Sequence, residues 1–211
     1  MAGVNLFIDF LSDEEKFSRS SKEQEILTEI KINIKRIDGI IKRVLAFSKQ
    51  SDATTAEKLR VNPLIEDSLK LWHSKMVKAG IRQSLFIAEN LAEIIGDPIE
   101  IQQVITNLIQ NAIEAMEKEG TLSISARNET LSFDEKRPAV VIKVQDSGAG
   151  IPPDQQKNIF NPFFTTKHTG TGLGLAISHR IVSRHRGLLS FESIPGEGTT
   201  FTIEFPVAPA G

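Results

Sequence analysis

Between Gln24 and Phe47 the apolar residues Ile26, Ile30, Ile34, Ile37, Ile41 and Val44 follow one another at steps of four and three. That alternation draws a single stripe along a helix and suits the seam of a coiled-coil-like bundle. Val4, Phe7, Ile8 and Leu11 form a shorter stripe of the same kind, and the polar stretch SDEEKFSRSSKEQ between the two reads as a helix end and a connection. A two-helix hairpin buries too little to be stable alone. A second copy is therefore expected to pair with it, making a four-helix bundle across a homodimer.

The pattern changes near Ser48. SKQSDATT, Ser48 to Thr55, is small and polar, the composition of a linker. The expected organisation is a helical hairpin over residues 1–50, a linker over 51–56 and a second domain over 57–208. In that domain EKLRVN reads as a short strand. Asn62 and Pro63 are the expected N-cap and first-turn residue of a helix running to Lys78 and closed by Gly80. IRQSLFIAE and LAEIIG read as two strands around a turn, and Asp97-Pro98 opens a long helix reaching about Lys118. GTLSISARNE, PAVVIKVQD, LLSFESI and TTFTIEF alternate as strands do, and ISHRIVSRHRG reads as a helix ended by its glycine. Antiparallel strands on one side and helices on the other give an α+β sandwich.

At 211 residues and 40% hydrophobic the chain can bury a core. A formal net charge of -2 gives no field for nucleic acid, so an anionic ligand must be met by local geometry. The absence of cysteine excludes thiol catalysis, zinc–thiolate sites and a disulfide scaffold, and suits a reducing compartment. No apolar run of about 18 residues and no signal-peptide layout occurs.

Four stretches carry candidate chemistry. In QQVITNLIQNAIEAM, Asn107 and Asn111 are four apart and share one helix face at the edge of the apolar stripe. They either satisfy nearby backbone groups or offer neutral oxygens to a Mg²⁺ that shares its other ligands with phosphates. In QDSGAGI, which follows a strand, Asp146 can accept a hydrogen bond from an amino group on a flat ring, with Gly148 and Gly150 allowing close approach; an ordinary turn is the competing reading. NPFFTTKHTGTGLGLAISH places Gly170, Gly172 and Gly174 where a helix should start. Bare amides at such a terminus bind anions, Lys167 adds a charge, and the loop from Phe160 to Gly170 would be a lid over a triphosphate. The spacing fits neither the P-loop nor the dinucleotide fingerprint. PGEGTTF, Pro195 to Phe201, is a hairpin turn whose value is positional.

In this order and spacing the stretches resemble the N, first-glycine, F, second-glycine and third-glycine boxes of the ATP-binding domain of sensor histidine kinases, over about residues 57 to 207. The resemblance implies a Bergerat-type α/β sandwich, a mixed sheet with one face covered by helices, that binds ATP with Mg²⁺. It implies that Asn111 holds the metal, that Asn107 assists at metal and phosphates, and that Asp146 reads the adenine amino group with Thr199 in support. Gly148, Gly150 and Ile151 would shape the base pocket, and Phe163 and Phe164 would anchor the lid. Thr166, Lys167, Gly170, Thr171, Gly172, Leu173 and Gly174 would surround the phosphates. Gyrase-type relatives carry a water-activating glutamate where this chain has Asn107, so phosphoryl transfer to an imidazole is expected in place of hydrolysis. Many kinases of the family carry a lysine where this chain has Glu114, and Lys167 is the candidate compensating charge.

RIDGIIKRVLAFSK resembles the end of the family's dimerisation and phosphotransfer hairpin. The acceptor motif of that hairpin is absent, since no histidine precedes His73. The chain is expected to begin a few residues after it, and so to bind Mg·ATP without autophosphorylating. His73, His168, His179 and His185 are read as surface or local-structure residues, with His168 able to touch phosphate. A response-regulator receiver domain is the expected partner, in the cytoplasm, with nucleic acid and membrane contact excluded for this segment and a membrane anchor open for its parent. A gyrase- or chaperone-like ATPase and a nucleotide-gated, non-enzymatic dimeric adaptor are the rival readings.

Overall fold

A computed structural model describes residues 22–30, 32–34, 37, 56–116, 118–167 and 170–209. The chain divides into two units, Met1–Ser51 and Asp52–Gly211. In the first, residues 22–30, 32–34 and 37 are helical. Along the isoleucine stripe Ile34 is half-buried, while Ile26 and Ile37 are each 49% exposed and Ile30 is 40% exposed. Ile41, Val44, the upstream stripe and the 48–55 linker lie outside the described residues.

The second unit runs β1 (Glu57–Leu59), α1 (Val61–Lys78), β2 (Ile81–Ile87), β3 (Ile94–Gly96), α2 (Pro98–Ala115), β4 (Gly120–Leu131), β5 (Asp134–Asp146), α3 (Pro153–Gln156), α4 (Gly174–Arg184), β6 (Leu188–Ile194) and β7 (Gly198–Pro206). Five strands form one sheet in the order β2-β4-β5-β7-β6, and β1 pairs with β3 in a separate two-stranded sheet. Only β2 and β4 run parallel; the other pairs of the large sheet are antiparallel. It is a mixed sheet covered by helices on one face. Alternate residues of β4 and β5, including Leu122, Ile124, Ala126, Val140, Ile142 and Val144, are buried, as are Ile101, Val104, Ile105, Leu108 and Ile109 on the apolar face of α2. The intervening strand positions Arg127, Lys143 and Gln145 are exposed, which is the period-two alternation of a sheet with one wet face. Helix α2 packs between α1 and α4 and against the sheet, so its polar edge faces the first turn of α4.

Three boundaries differ from those read in the sequence. Helix α1 starts at Val61 with Arg60 as N-cap, which puts Asn62 inside the first turn. Helix α2 ends at Ala115, because the Ala115 carbonyl accepts from Ala149 N at 3.2 Å in the loop after β5. The end of α4 places Arg186, at φ 58°, in the left-handed position expected of Gly187. Gly187 is required instead because a Cβ there would collide with the Glu204 carbonyl. The largest difference is in IRQSLFIAE and LAEIIG, which do not pair around a turn. The connection turns at Glu89 and Asn90, but it lacks the glycine of a tight hairpin loop and the strands diverge. Asn128 fixes it to β4, accepting from Ala92 N at 2.9 Å and donating to Asn90 O at 2.7 Å, so β2 joins β4 while β3 joins β1.

Candidate functional site

The polar edge of α2 is locked to the start of α4. Asn107 Nδ2 donates to Ser178 Oγ at 3.0 Å, and a Cβ on Gly174 would come within 2.5 Å of Asn107 Oδ1. Gly174 is therefore glycine because the Asn107 amide occupies the space over the first turn of the helix. Asn111 lies one turn further along the same helix, half-buried. Just upstream, Gly172 at φ 66° turns the chain beneath Phe163, whose N–H donates to Gly172 O at 2.9 Å. A Cβ on Gly172 would strike the Phe163 backbone, and Phe163 itself sits at φ 69°. Strain at a non-glycine residue marks a segment whose shape is imposed by its surroundings. The glycines thus leave the amides of Gly172, Leu173 and Gly174 at the N-terminus of α4, where partial positive charge accumulates.

Asp146 ends β5, opposite Thr199 in the register with β7, and is 4% exposed. Burial pushes its carboxyl above the usual carboxylate range, opposed by the backbone N–H groups of Gly148 and Thr199 and by the charge of Lys167. Gly148 N donates to Asp146 Oδ1 at 2.9 Å, and a Cβ on Gly148 would press on the Ala115 carbonyl at 2.6 Å. Gly150, at φ 69°, passes under Ile194, and Gly196 N donates to Ala149 O at 2.8 Å. Ile151 N donates to Ser193 Oγ at 2.8 Å, and that hydroxyl contacts Thr199 Oγ1 at 2.9 Å. The stretches QDSGAGI and PGEGTTF are therefore fastened together around one buried acid.

Lys167 closes the third side. Its Nζ meets Glu114 Oε2 at 2.6 Å, and Gln110 Nε2 donates to Glu114 Oε1 at 2.7 Å. Burial alone would raise the Glu114 carboxyl, but the Lys167 and Gln110 hydrogen bonds and the charges of Lys167 and Lys75 hold it below its ordinary value. Gly170 N donates to Lys167 O at 3.0 Å, and Lys167 N donates to the Thr165 hydroxyl oxygen at 3.1 Å. Phe164 is half-buried and Thr166 is exposed. Phe163 is 64% exposed; at the loop base Phe160 packs tilted against His179 at 5.1 Å and edge-on against Phe191 at 5.8 Å.

The structure thus brings Asn107, Asn111, Asp146, Lys167 and the glycines at 148–150 and 170–174 to one side of the sandwich. Ser178, Ser193 and Phe160 hold them and were not singled out in the sequence. Ser178 could have been found one turn after Gly174, on the face that meets α2. An anion such as phosphate suits the glycine-flanked N-terminus of α4. Magnesium fits less as a cage than as a shared ion: among the described residues no three His, Asp or Glu side chains cluster to hold a metal. A hard ion held by one or two protein oxygens plus phosphate and water is what this donor set allows.

The fold and site define an ATP-binding sandwich, and the chain belongs to the family described as histidine kinase-, DNA gyrase B-, and HSP90-like ATPase, whose model matches residues 96–209. It is 35% identical over 188 residues to the signal transduction histidine-protein kinase AtoS of Escherichia coli (strain K12), covering 89% of this chain and 30% of AtoS. The catalytic domain of histidine kinase ThkA matches with 33% identity and a TM-score of 0.63 over 72% of this chain and 95% of its own. Histidine kinase ThkA in complex with the response regulator TrrA matches at 26% identity and a TM-score of 0.71, covering 98% of this chain and 60% of that one. The relatives are sensor kinases, as the order of motifs implied. The chain spans about a third of the length of the curated relatives it matches.

Proposed function

We propose that this chain is the ATP-binding catalytic part of a sensor histidine kinase. It delivers the γ-phosphoryl group of ATP to an imidazole outside its own four histidines, from which a response-regulator aspartate receives it. The observation that carries the reading is the buried Asp146, walled by glycines, beside a glycine-bared helix terminus locked to Asn107. Asp146 accepts from the adenine amino group, with Thr199 beside it and Gly148, Gly150 and Ile151 leaving room for the ring. Gly170, Thr171, Gly172, Leu173 and Gly174 surround the phosphates, with Thr166 and Lys167 on the loop that precedes them. Asn111, assisted by Asn107, would give oxygens to Mg²⁺, which neutralises phosphate charge when bound.

Transfer is favoured over hydrolysis because the position on α2 nearest the start of α4 carries an amide, which takes no proton from water, and the described carboxylates of α2 are each engaged by a cap or an ion pair. Asn107 is an amide bound to Ser178. Asp97 caps α2, Glu100 pairs with Arg184, and Glu114 is tied to Lys167 below its ordinary range. That His185 is fixed between Asp97 N at 3.0 Å and Ile181 O at 2.8 Å, and that His179 packs against Phe160, supports an acceptor other than these two. The exposed isoleucines of the first unit support a homodimer through the helical hairpin, and the complex of ThkA with TrrA supports a receiver domain as partner. Among the described residues no helix is long and apolar enough to cross a membrane.

Calorimetric titration with Mg·ATP, followed by labelled ATP in the presence of a separate histidine-bearing hairpin, tests the reading. Micromolar binding, label on the hairpin and negligible steady ATPase are expected. Absence of binding, or rapid hydrolysis without an acceptor, overturns it; binding without transfer leaves the adaptor reading.

A further inference from the structure

The loop cation and the α2 carboxylate that meets it lie 53 positions apart in sequence, and the site as described so far gives the carboxylate no work. Glu114 is fixed at both oxygens, by Lys167 at 2.6 Å and Gln110 at 2.7 Å. It sits between two landmarks of α2. One is Asn111, a turn earlier; the other is Ala115, whose carbonyl accepts from Ala149 N and packs on Gly148 at the base pocket. The charge of Lys167 is also felt at Asp146. The ammonium is therefore held against α2 between the turn that carries Asn111 and the carbonyl that packs on Gly148, at the end of the helix nearer the proposed base pocket.

Two behaviours are open to such a pair when a nucleotide enters. If Lys167 abandoned Glu114 for phosphate, a partly buried anion would keep only the neutral Gln110 as partner beside a polyanion. If it stays, one of its three N–H donors serves the carboxylate and two remain for phosphate oxygens. The second costs less. Resting on the nucleotide-site reading above, we propose that Glu114 is a positioning residue that holds the Lys167 ammonium as a bridge between α2 and the nucleoside-proximal phosphates. A carboxylate here, where phosphate would be repelled by it alone, works only as half of this pair.

Binding of Mg·ADP to the wild-type chain, E114Q, K167M and the double variant, measured by calorimetry, tests this. E114Q is expected to weaken ADP about tenfold, the worth of one charge-assisted hydrogen bond, and to have no further effect in the K167M background. Adenosine, which has no phosphate, is expected to shift the same NMR resonances with equal affinity in all four proteins. Tighter ADP binding by E114Q means the carboxylate only repels phosphate, and multiplicative losses in the double variant mean the residues act separately; either overturns the proposal. Equal weakening of adenosine and ADP by E114Q, the mark of a merely structural prop, overturns it as well. If the wild-type chain binds no ADP, it is the nucleotide-site reading that fails.

Discussion

Asp146 is a carboxylate held where carboxylates are unfavourable. With its folded value raised above the ordinary 3.8, the folded state binds more protons across that window, so its contribution to stability falls as pH rises through the raised value. Glu114 acts in the opposite sense: lowered from 4.5, its stabilising contribution is present above that value and is lost as pH falls through the folded one. In the proposed role Asp146 has to be ionised to accept from the adenine amino group. Affinity for ADP should therefore drop, as pH is lowered, earlier than an exposed aspartate would allow, and D146N should remove that dependence. At pH 7 D146N should weaken ADP by about tenfold or more through loss of a charged acceptor, without lowering the free energy of unfolding. Calorimetry and urea unfolding check the two halves; a loss of stability equal to the loss of affinity would refute the assignment. At Gly174 the expectation is also split. A Cβ 2.5 Å from Asn107 Oδ1 must push that amide aside, so G174A should weaken Mg·ATP while changing urea stability by no more than about 1 kcal/mol, because alanine also favours helix. Asn107, Asn111, Asp146 and the glycines were singled out in the sequence because of the order and spacing of their stretches, each of which alone had an ordinary structural reading. The serines that orient them were not, since a serine on a helix or strand reads as surface until its partner is known, and no local pattern pairs Glu114 with Lys167.

Elements were legible wherever one segment decides its own state. Helix α2 has an apolar stripe, a proline in its first turn and Asp97, whose carboxylate accepts from Ile99 N at 2.9 Å and Glu100 N at 3.3 Å. Such a cap contributes about 1 kcal/mol, so D97A should lower the unfolding free energy by about that much. Circular dichroism with urea would show it, and the midpoint should fall without a change in slope. Because α2 carries both asparagines, a small parallel loss of Mg·ATP affinity is expected. Pairing was less legible than existence. Strands β2 and β3 were each found, yet their partners are set by β4 and by the Asn128 side chain, far away in sequence. Helix ends went the same way: α2 stops where the loop after β5 takes its last carbonyl, and Gly187, whose N–H closes α4 on Val182 O at 2.9 Å, has to be glycine because β7 leaves no room for a Cβ. Long-range contacts chose these details, and periodicity carries no information about them.

At the scale of the molecule, the two units call for different partners. The unit Asp52–Gly211 has a buried core of its own and contains every residue proposed to touch nucleotide. In the unit Met1–Ser51, Ile26, Ile30 and Ile37 stand on one stripe and remain between 40% and 49% exposed. Isoleucines repeated at that spacing leave apolar area in water unless another helix covers it, and in a closed two-fold assembly the same stripe of a second chain does so. The wild-type chain should sediment as a dimer at micromolar concentration. Introducing a charge in the seam desolvates it against apolar neighbours, so I30D combined with I37D should give a monomer. ADP affinity should be the same in both proteins, since Asp146, Asn107 and the residues around α4 all belong to the other unit. A wild-type monomer, or a doubly substituted chain that still sediments as a dimer, would mean that this stripe is not the contact between copies.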